Sequence, residues 1–351
     1  MRLLLAGCVL AIAVSAGAQT PPANFDRDPV RFTSGRFELS GDLLAPREGA
    51  AHPVIVYVWG AGPSNRQRHI ERSPMLRAFL EHGYAVFLYD KPGSGESTGE
   101  IDGRHQFDEL ASILIDAIDV LKARDDIDAS AIGLYGSSQA SYVMASALAR
   151  TTNVAFVIAW SCPMQNSIEQ GAYLVRNYVL CDGGSPATAD SAGAAYRERA
   201  LARMYTDYRE AALVLDSIPA IRDGLGWAGV REQSDFTPAD STSESFFDPS
   251  HTWAAQKIPI LALYAENDRQ IDPLQGAGSF RRIFARNADP LSTVVVIPGA
   301  DHNMNLSPRG CMQDQRDDYR SIGGKTPSPR FIDAIGAWLD RLNPGRTPRA
   351  R

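Results

Sequence analysis

Residues 133–141 read GLYGSSQAS, with three serines between an apolar run and an alanine-rich segment. How the chain turns there decides the fold. A serine held at a sharp turn between strand and helix needs small neighbours two positions before and after it, so that the chain can double back. Ser138 has them in Gly136 and Ala140, whereas Ser137 has Tyr135 and Gln139, and Ser141 has Gln139 and Val143. Ser138 is therefore the serine that fits an elbow, with AIGLY before it as a strand and QASYVMASALAR after it as a helix. Ala140 stands where Gly is usual in G-x-S-x-G and adds a methyl group to the approach of helix and strand. The same residues also suit a Gly-Ser turn in which the serine only caps a helix. The elbow takes its meaning from its surroundings.

Those surroundings alternate between β-rich and helical patterns. PVIVYV, YAVFLYD, AIGLYG, VAFVIAW, IPILALY and STVVVIP are short, nearly continuous apolar runs, as strands buried on both faces of a parallel sheet should be. RFELSGDLLAP alternates with period two and predicts an antiparallel strand ahead of them. SPMLRAFLEHG predicts a helix that begins after Ser73, has Pro74 at its first position and stops at Gly83. The alternation breaks between VAFVIAW and IPILALY, where about ninety residues intervene, far more than a connection needs. Ala200, Leu201, Met204, Tyr208, Ala211, Ala212 and Leu215 recur there at helical spacing, which predicts a helical cap with one apolar face.

A serine hydroxyl attacks poorly until a base takes its proton and a carboxylate holds that base in the right tautomer. AENDRQID follows IPILALY and GADHN follows STVVVIP, so an acid and a histidine stand at the carboxyl ends of the last two predicted strands, where such sheets carry their ligands. His302 is the base this pattern selects. His52, His82 and His105 read as solvated or structural, while His69, after a strand, and His251, near the end of the cap, stay open as alternatives. For the acid, Asp268 is preferred over Glu266 and Asp272, with Asp272 as the fallback. Acyl transfer also needs donors for an oxyanion, one of them the N–H of the residue after the nucleophile, Gln139. The second should come from WGAGPSNR after PVIVYV, with the N–H of Ala61 first and that of Gly62 next, although a glycine-rich turn alone would look the same.

With the chain order Ser138, Asp268, His302, the GSSQA elbow and the WGAGP loop, the sequence resembles the α/β-hydrolase fold superfamily over nearly all of its length. YDKPGSGESTG, GAGPSNR and ALYAENDRQID further resemble bacterial serine hydrolases of the dienelactone-hydrolase-like type and relatives of dipeptidyl aminopeptidases and acylaminoacyl peptidases. The resemblance implies an α/β-hydrolase fold, with a mostly parallel sheet, helices on both faces and a cap inserted before the strand that carries the acid. It also implies hydrolysis of esters, amides or short peptides without metal or organic cofactor; the predicted helical lid adds the expectation of small or medium esters, with short peptides as the alternative. Trp59 departs from the pattern, standing where many such enzymes carry His. A non-catalytic binder on this fold would be expected to lack a member of the constellation, and none is missing. Ser138 excludes the hydrolases with a carboxylate at the elbow, and Pro163 after Cys162 disfavours a cysteine nucleophile. KPGSGESTG lacks the G-K-[ST] of a phosphate-binding loop.

Thirty-five basic against 41 acidic side chains leave a formal charge of −6, which argues against a nucleic-acid partner and makes a small neutral or mixed partner more natural, the small-molecule ester or short peptide being what the resemblance implies. The first residues, MRLLLAGCVLAIAVSAGAQT, place one Arg before an apolar run and end in Ala16-Gly17-Ala18, the form of an export signal cleaved after Ala18. A lipid anchor on Cys8, in Leu5-Ala6-Gly7-Cys8, is the competing reading, disfavoured because the apolar stretch before Cys8 is only five residues long and the apolar run continues beyond it. No stretch after the signal is long and apolar enough to span a bilayer. The expected division is a signal peptide over 1–18, core over 19–161, helical cap over 162–250, core again over 251–345 and a tail over 346–351. Cys162, Cys181 and Cys311 remain for an oxidising compartment, an odd number that predicts one bridge and one free thiol. Of the three pairings, Cys181 with Cys311 is favoured because it would tie the cap to the loop carrying the base.

Overall fold

The apolar runs assemble into one eight-stranded sheet. A computed structural model describes residues 25–49, 51–64, 66–102, 105–202, 209–225, 246–314 and 327–344. The expected signal over 1–18 with Cys8, the tail over 346–351, and Met204, Tyr205, Tyr208 and Trp227 of the insertion lie outside those residues. The strands are β1 (Phe25–Ser34), β2 (Phe37–Pro46), β3 (His52–Val58), β4 (Ala85–Tyr89), β5 (Ile127–Ser137), β6 (Phe156–Trp160), β7 (Ile260–Ala265) and β8 (Thr293–Ile297). They lie in the order β1-β2-β4-β3-β5-β6-β7-β8. β2 is antiparallel to both β1 and β4, and every later pairing is parallel.

The central strands are apolar throughout because both faces are covered. Successive side chains of a strand point to opposite faces: Val54, Val56 and Val58 of β3 join one core, and Ile55 and Tyr57 join the other. Helices α3 (Gln106–Lys122), α4 (Ala140–Leu148) and α10 (Pro273–Asn287) close the first face, with α9 (Ser250–Ala255) beside them. Helices α2 (Pro74–Glu81) and α11 (Pro329–Leu342) close the second. α2 starts at Pro74 as its sequence predicts, and the short α1 (Arg66–Arg72) precedes it.

Two strands differ from their expectation. β1 was not readable as a strand because FDRDPVRFTS buries only Val30, Phe32 and Ser34 and carries Pro29, as suits an edge strand. β2 keeps its period of two only over Phe37, Glu38 and Leu39, then is buried from Leu39 to Leu44. The extra burial takes in Ser40 and Asp42, both held by the guanidinium of Arg66: Nη2 donates to Ser40 Oγ at 3.1 Å and Nε to Asp42 Oδ2 at 2.6 Å.

Between β6 and β7 lie α5 (Ser167–Cys181), α6 (Pro186–Ala202), α7 (Arg209–Asp216) and α8 (Pro219–Gly224). They share a small core of their own, built on Val175, Tyr178, Val179, Ala192, Leu215 and Ile221. The predicted single stripe is split between two helices: Leu201 of α6 is 44% exposed, whereas Leu215 of α7 is fully buried. Cys181 and Cys311 form a disulfide, and Cys162 is free and buried. Among the described residues no helix is long and apolar enough to cross a membrane.

Candidate active site

β5 runs through Ser137, and Ser138 follows with φ 55° before α4 begins at Ala140. A non-glycine residue in the left-handed region is strained, and such strain persists only where the surroundings impose it. Here they do. A Cβ placed on Gly136 would lie 2.8 Å from the Ala140 methyl and 3.1 Å from Val58 Cβ. A side chain at position 136 would therefore force its neighbours to shift, and Ala140 fills the space that a second glycine would have left. The turn is pinned by the Ser138 N–H, which donates to the Ser161 carbonyl at 3.1 Å. It leaves the N–H of Gln139 at the N-terminus of α4, where the helix dipole favours negative charge.

Asp268 and His302 meet as the sequence order predicts. Asp268, 1% exposed, directs Oδ2 at His302 Nδ1, 2.8 Å away. Its Oδ1 accepts the backbone N–H groups of Gln270 at 2.8 Å and Ile271 at 2.9 Å, so the carboxylate is oriented by its own loop. The rival acids are engaged elsewhere. Asp272 caps α10, accepting from the N–H groups of Leu274 and Gln275, and Glu266 accepts from the Gly299 N–H at 2.8 Å. Burial works against the His302 imidazolium, but the charge of Asp268, its hydrogen bond and the charge of Asp301 outweigh it and raise the pKa above 6.5.

Ser138 reaches this pair through Ser161, which follows β6. Ser161 accepts from the Ser138 N–H, and its own Oγ donates to the His302 carbonyl at 3.2 Å. Among the described residues Ser138 Oγ and His302 make no direct hydrogen bond; such bonds commonly tighten only around a substrate. Ser161 went unremarked in the sequence, although its place just past a parallel strand is where site residues gather.

On the other side of the elbow lies the loop from Gly60 to Ser64. A Cβ on Gly60 would stand 3.2 Å from the Ser137 carbonyl oxygen and 3.6 Å from Ser138 Cβ, so this backbone passes directly beside the elbow. Ala61 follows it and is exposed. Trp59, the departure from pattern, is buried. Its Nε1 donates to the Tyr89 carbonyl at 2.5 Å, and its ring packs against Tyr57 and His69. A cavity of about 400 Å³ opens beyond the loop and is lined among others by Gly62, Lys91, Ser94, Gln106 and Gln139. Gln139 Nε2 donates to Gln106 Oε1 at 3.1 Å.

The remaining histidines have other settings. His82 bonds Asp340 at 2.9 Å, His69 lies in the aromatic cluster with Trp59, and His251 is exposed on α9. Cys162 is buried, and burial pushes its thiol up to about 12, away from the thiolate that a nucleophile needs. Of the aromatic residues in the insertion, Tyr173 donates its hydroxyl to the Asp268 carbonyl at 3.0 Å and Tyr178 is buried in the insertion's own core.

A model of the alpha/beta hydrolase family matches residues 43–313. The chain is 29% identical over 139 residues to the quorum-quenching protein AidA of Acinetobacter baumannii (strain MDR-ZJ06), a stretch that takes in 38% of this chain and 43% of that protein. An esterase of Pyrococcus furiosus superposes with a TM-score of 0.53 at 16% identity and covers 90% of each chain. The acylaminoacyl peptidase of Pyrococcus horikoshii gives 0.50 at 15% identity over 79% of this chain and 37% of its own. At those identities the structural likeness is one of fold, and the chain spans less than half the length of both AidA and the peptidase. The family match runs from β2 to beyond the His302 loop and so spans Ser138, Asp268 and His302; the chain belongs to the alpha/beta hydrolase family.

Proposed function

We propose that this chain is an exported serine hydrolase that cleaves small or medium carboxylic esters through an acyl-enzyme, with Ser138 as nucleophile, His302 as base and Asp268 as the acid that orients it. The observation that carries the reading is the 2.8 Å contact of Asp268 Oδ2 with His302 Nδ1, at the same sheet end as a serine held at φ 55°. With Nδ1 donating to Asp268, the other ring nitrogen is free to accept the proton of Ser138 Oγ as that oxygen attacks the ester carbonyl. The oxyanion that forms would be met by the N–H groups of Gln139 and Ala61. Collapse expels the alcohol, which takes the proton from His302, and water repeats the sequence on the acyl group.

Esters are favoured over free peptides by the state of Glu169, the acidic group of the insertion suited to hold a substrate amine. Both of its oxygens accept from Arg197 Nε, at 3.0 and 2.8 Å, so the carboxylate is already matched. The helices within 162–250 are read as a cap over this site, supported by the Tyr173 contact and the Cys181–Cys311 bond. The same disulfide supports an oxidising compartment and hence export. Rates on p-nitrophenyl acetate, butyrate and palmitate, set beside aminoacyl and dipeptidyl anilides, test the substrate class. Short esters are expected to be cleaved fastest; efficient cleavage of an anilide with a free N-terminus, lost on acetylation, would move the protein to the peptidases.

A further inference from the structure

Lys91 has no task in the chemistry described so far. It follows β4 in YDKPGSGESTG, is 9% exposed, and donates from Nζ to the Gly60 carbonyl at 2.9 Å. Among the described residues no carboxylate pairs with it. An ammonium buried against a neutral partner is costly, and burial lowers its pKa to about 8, which leaves it protonated at neutral pH. An apolar side chain of similar reach would fill the space without that cost. Stability therefore does not account for a lysine here.

The atom it touches does. Gly60 is the residue packed against Ser137 and Ser138. Among the described residues no peptide is cis, and in a trans peptide the N–H points away from the carbonyl. Holding the Gly60 carbonyl thus sets the direction of the Ala61 N–H. A charged donor on that carbonyl also polarises the peptide and strengthens its N–H as a donor. The Lys91 backbone is fixed in turn, since its N–H donates to Ser64 Oγ at 2.7 Å, at the far end of the same loop.

We propose that Lys91 is a positioning residue for the oxyanion site: its ammonium holds and polarises the Gly60–Ala61 peptide, so that the Ala61 N–H is aimed before a substrate arrives. The inference rests on the serine-hydrolase reading above and adds a residue that acts through the Gly60 loop.

The test compares wild type, Lys91→Met and Lys91→Arg in steady-state hydrolysis of p-nitrophenyl butyrate and in inhibition by butylboronic acid, whose boron becomes tetrahedral on a serine oxygen. Lys91→Met is expected to lower kcat by about 10- to 100-fold, less than the 100- to 1,000-fold typical of deleting an oxyanion donor itself. KM should stay within about twofold, and boronate affinity should fall in step with kcat. Lys91→Arg, which keeps the cation, should recover most of kcat. If Lys91→Met does not fold, the same split is read in Lys91→Gln. Unchanged kcat, or a loss confined to KM, overturns the assignment. Fluorophosphonate labelling of wild type separates the two levels: an adduct away from Ser138 removes the serine reading and this one with it, whereas an adduct on Ser138 with unchanged kcat in the variant removes only the role of Lys91.

Discussion

On one side of Ser138 the Asp268 carboxylate takes its backbone hydrogen bonds from its own loop, while on the other the Gly60 carbonyl at the start of the Gly60–Ser64 loop is held by a side chain of a different loop. Asp268 takes two N–H groups from the two residues that follow Asn267-Asp268-Arg269, and Asn267 ties the same turn to the His302 loop through the Ser307 carbonyl at 2.8 Å. The Gly60 loop instead depends on Lys91, on Asp90 and on Arg66, whose guanidinium joins Asp90 to Asp42 of β2. A carboxylate oriented by its own loop keeps that orientation when distant parts change. A flank braced from outside transmits such changes to the site.

The largest expected effect leaves both flanks intact and removes what lies between them. Ser138→Ala should reduce ester hydrolysis by a factor on the order of a million if the three residues act as a unit, with an unchanged circular dichroism spectrum. Next, Asp268→Asn should lower kcat by about ten-thousandfold through the wrong imidazole tautomer. Asp272→Ala should leave kcat near normal and cost about 1 kcal/mol in urea denaturation through the lost cap of α10. Equal kcat losses in the two variants would mean that the acid flank is not organised around Asp268.

The disulfide sharpens the comparison, because it joins the insertion to the acid–base flank alone. Cys181 and Cys311 are 130 residues apart, and the loop-entropy model gives about 4 to 5 kcal/mol for closing a loop of that order. Cys181→Ser with Cys311→Ser should therefore lower the denaturation midpoint strongly, whereas alkylating agents should leave buried Cys162 untouched in the folded protein. Gly136→Ala is expected to cost about 1 to 3 kcal/mol by overpacking against Ala140. Adding Ala140→Gly should return part of it, because the two positions share one gap.

The smallest effect is one of pH. His302 must be neutral to accept a proton, and its pKa is raised, so kcat/KM should rise with pH through a midpoint above 6.5. The linked stability runs the other way. A group with a raised folded pKa contributes its full stabilisation below the unfolded value and loses it as pH climbs through the folded one. Activity and urea midpoint should thus move in opposite directions across that window; a rate that is flat there would argue against a histidine base.

The same comparison explains what the sequence reveals. Ser138, Asp268 and His302 each follow a strand with a strong apolar signature, and chain order alone ranks them. The exclusion of Ser137 and Ser141 rested on neighbour size, and the crowding of Gly136 by Ala140 is its physical counterpart. β1 escaped because an edge strand needs few apolar residues, and the split of α6 from α7 escaped because periodicity continues in register across a break. Lys91 and Ser161 escaped for a different reason. Their partners, Gly60, Ser138 and His302, are distant in sequence, and no local pattern marks a side chain whose purpose is to hold another loop.

The most direct test of the central assignment is covalent labelling of the folded protein with a fluorophosphonate, followed by peptide mapping. A serine activated by His302 should carry a single adduct on Ser138, blocked by prior incubation with a short ester inhibitor and absent from Ser138→Ala and His302→Gln. An adduct on Ser137 or Ser141, or labelling that survives both substitutions, would contradict it.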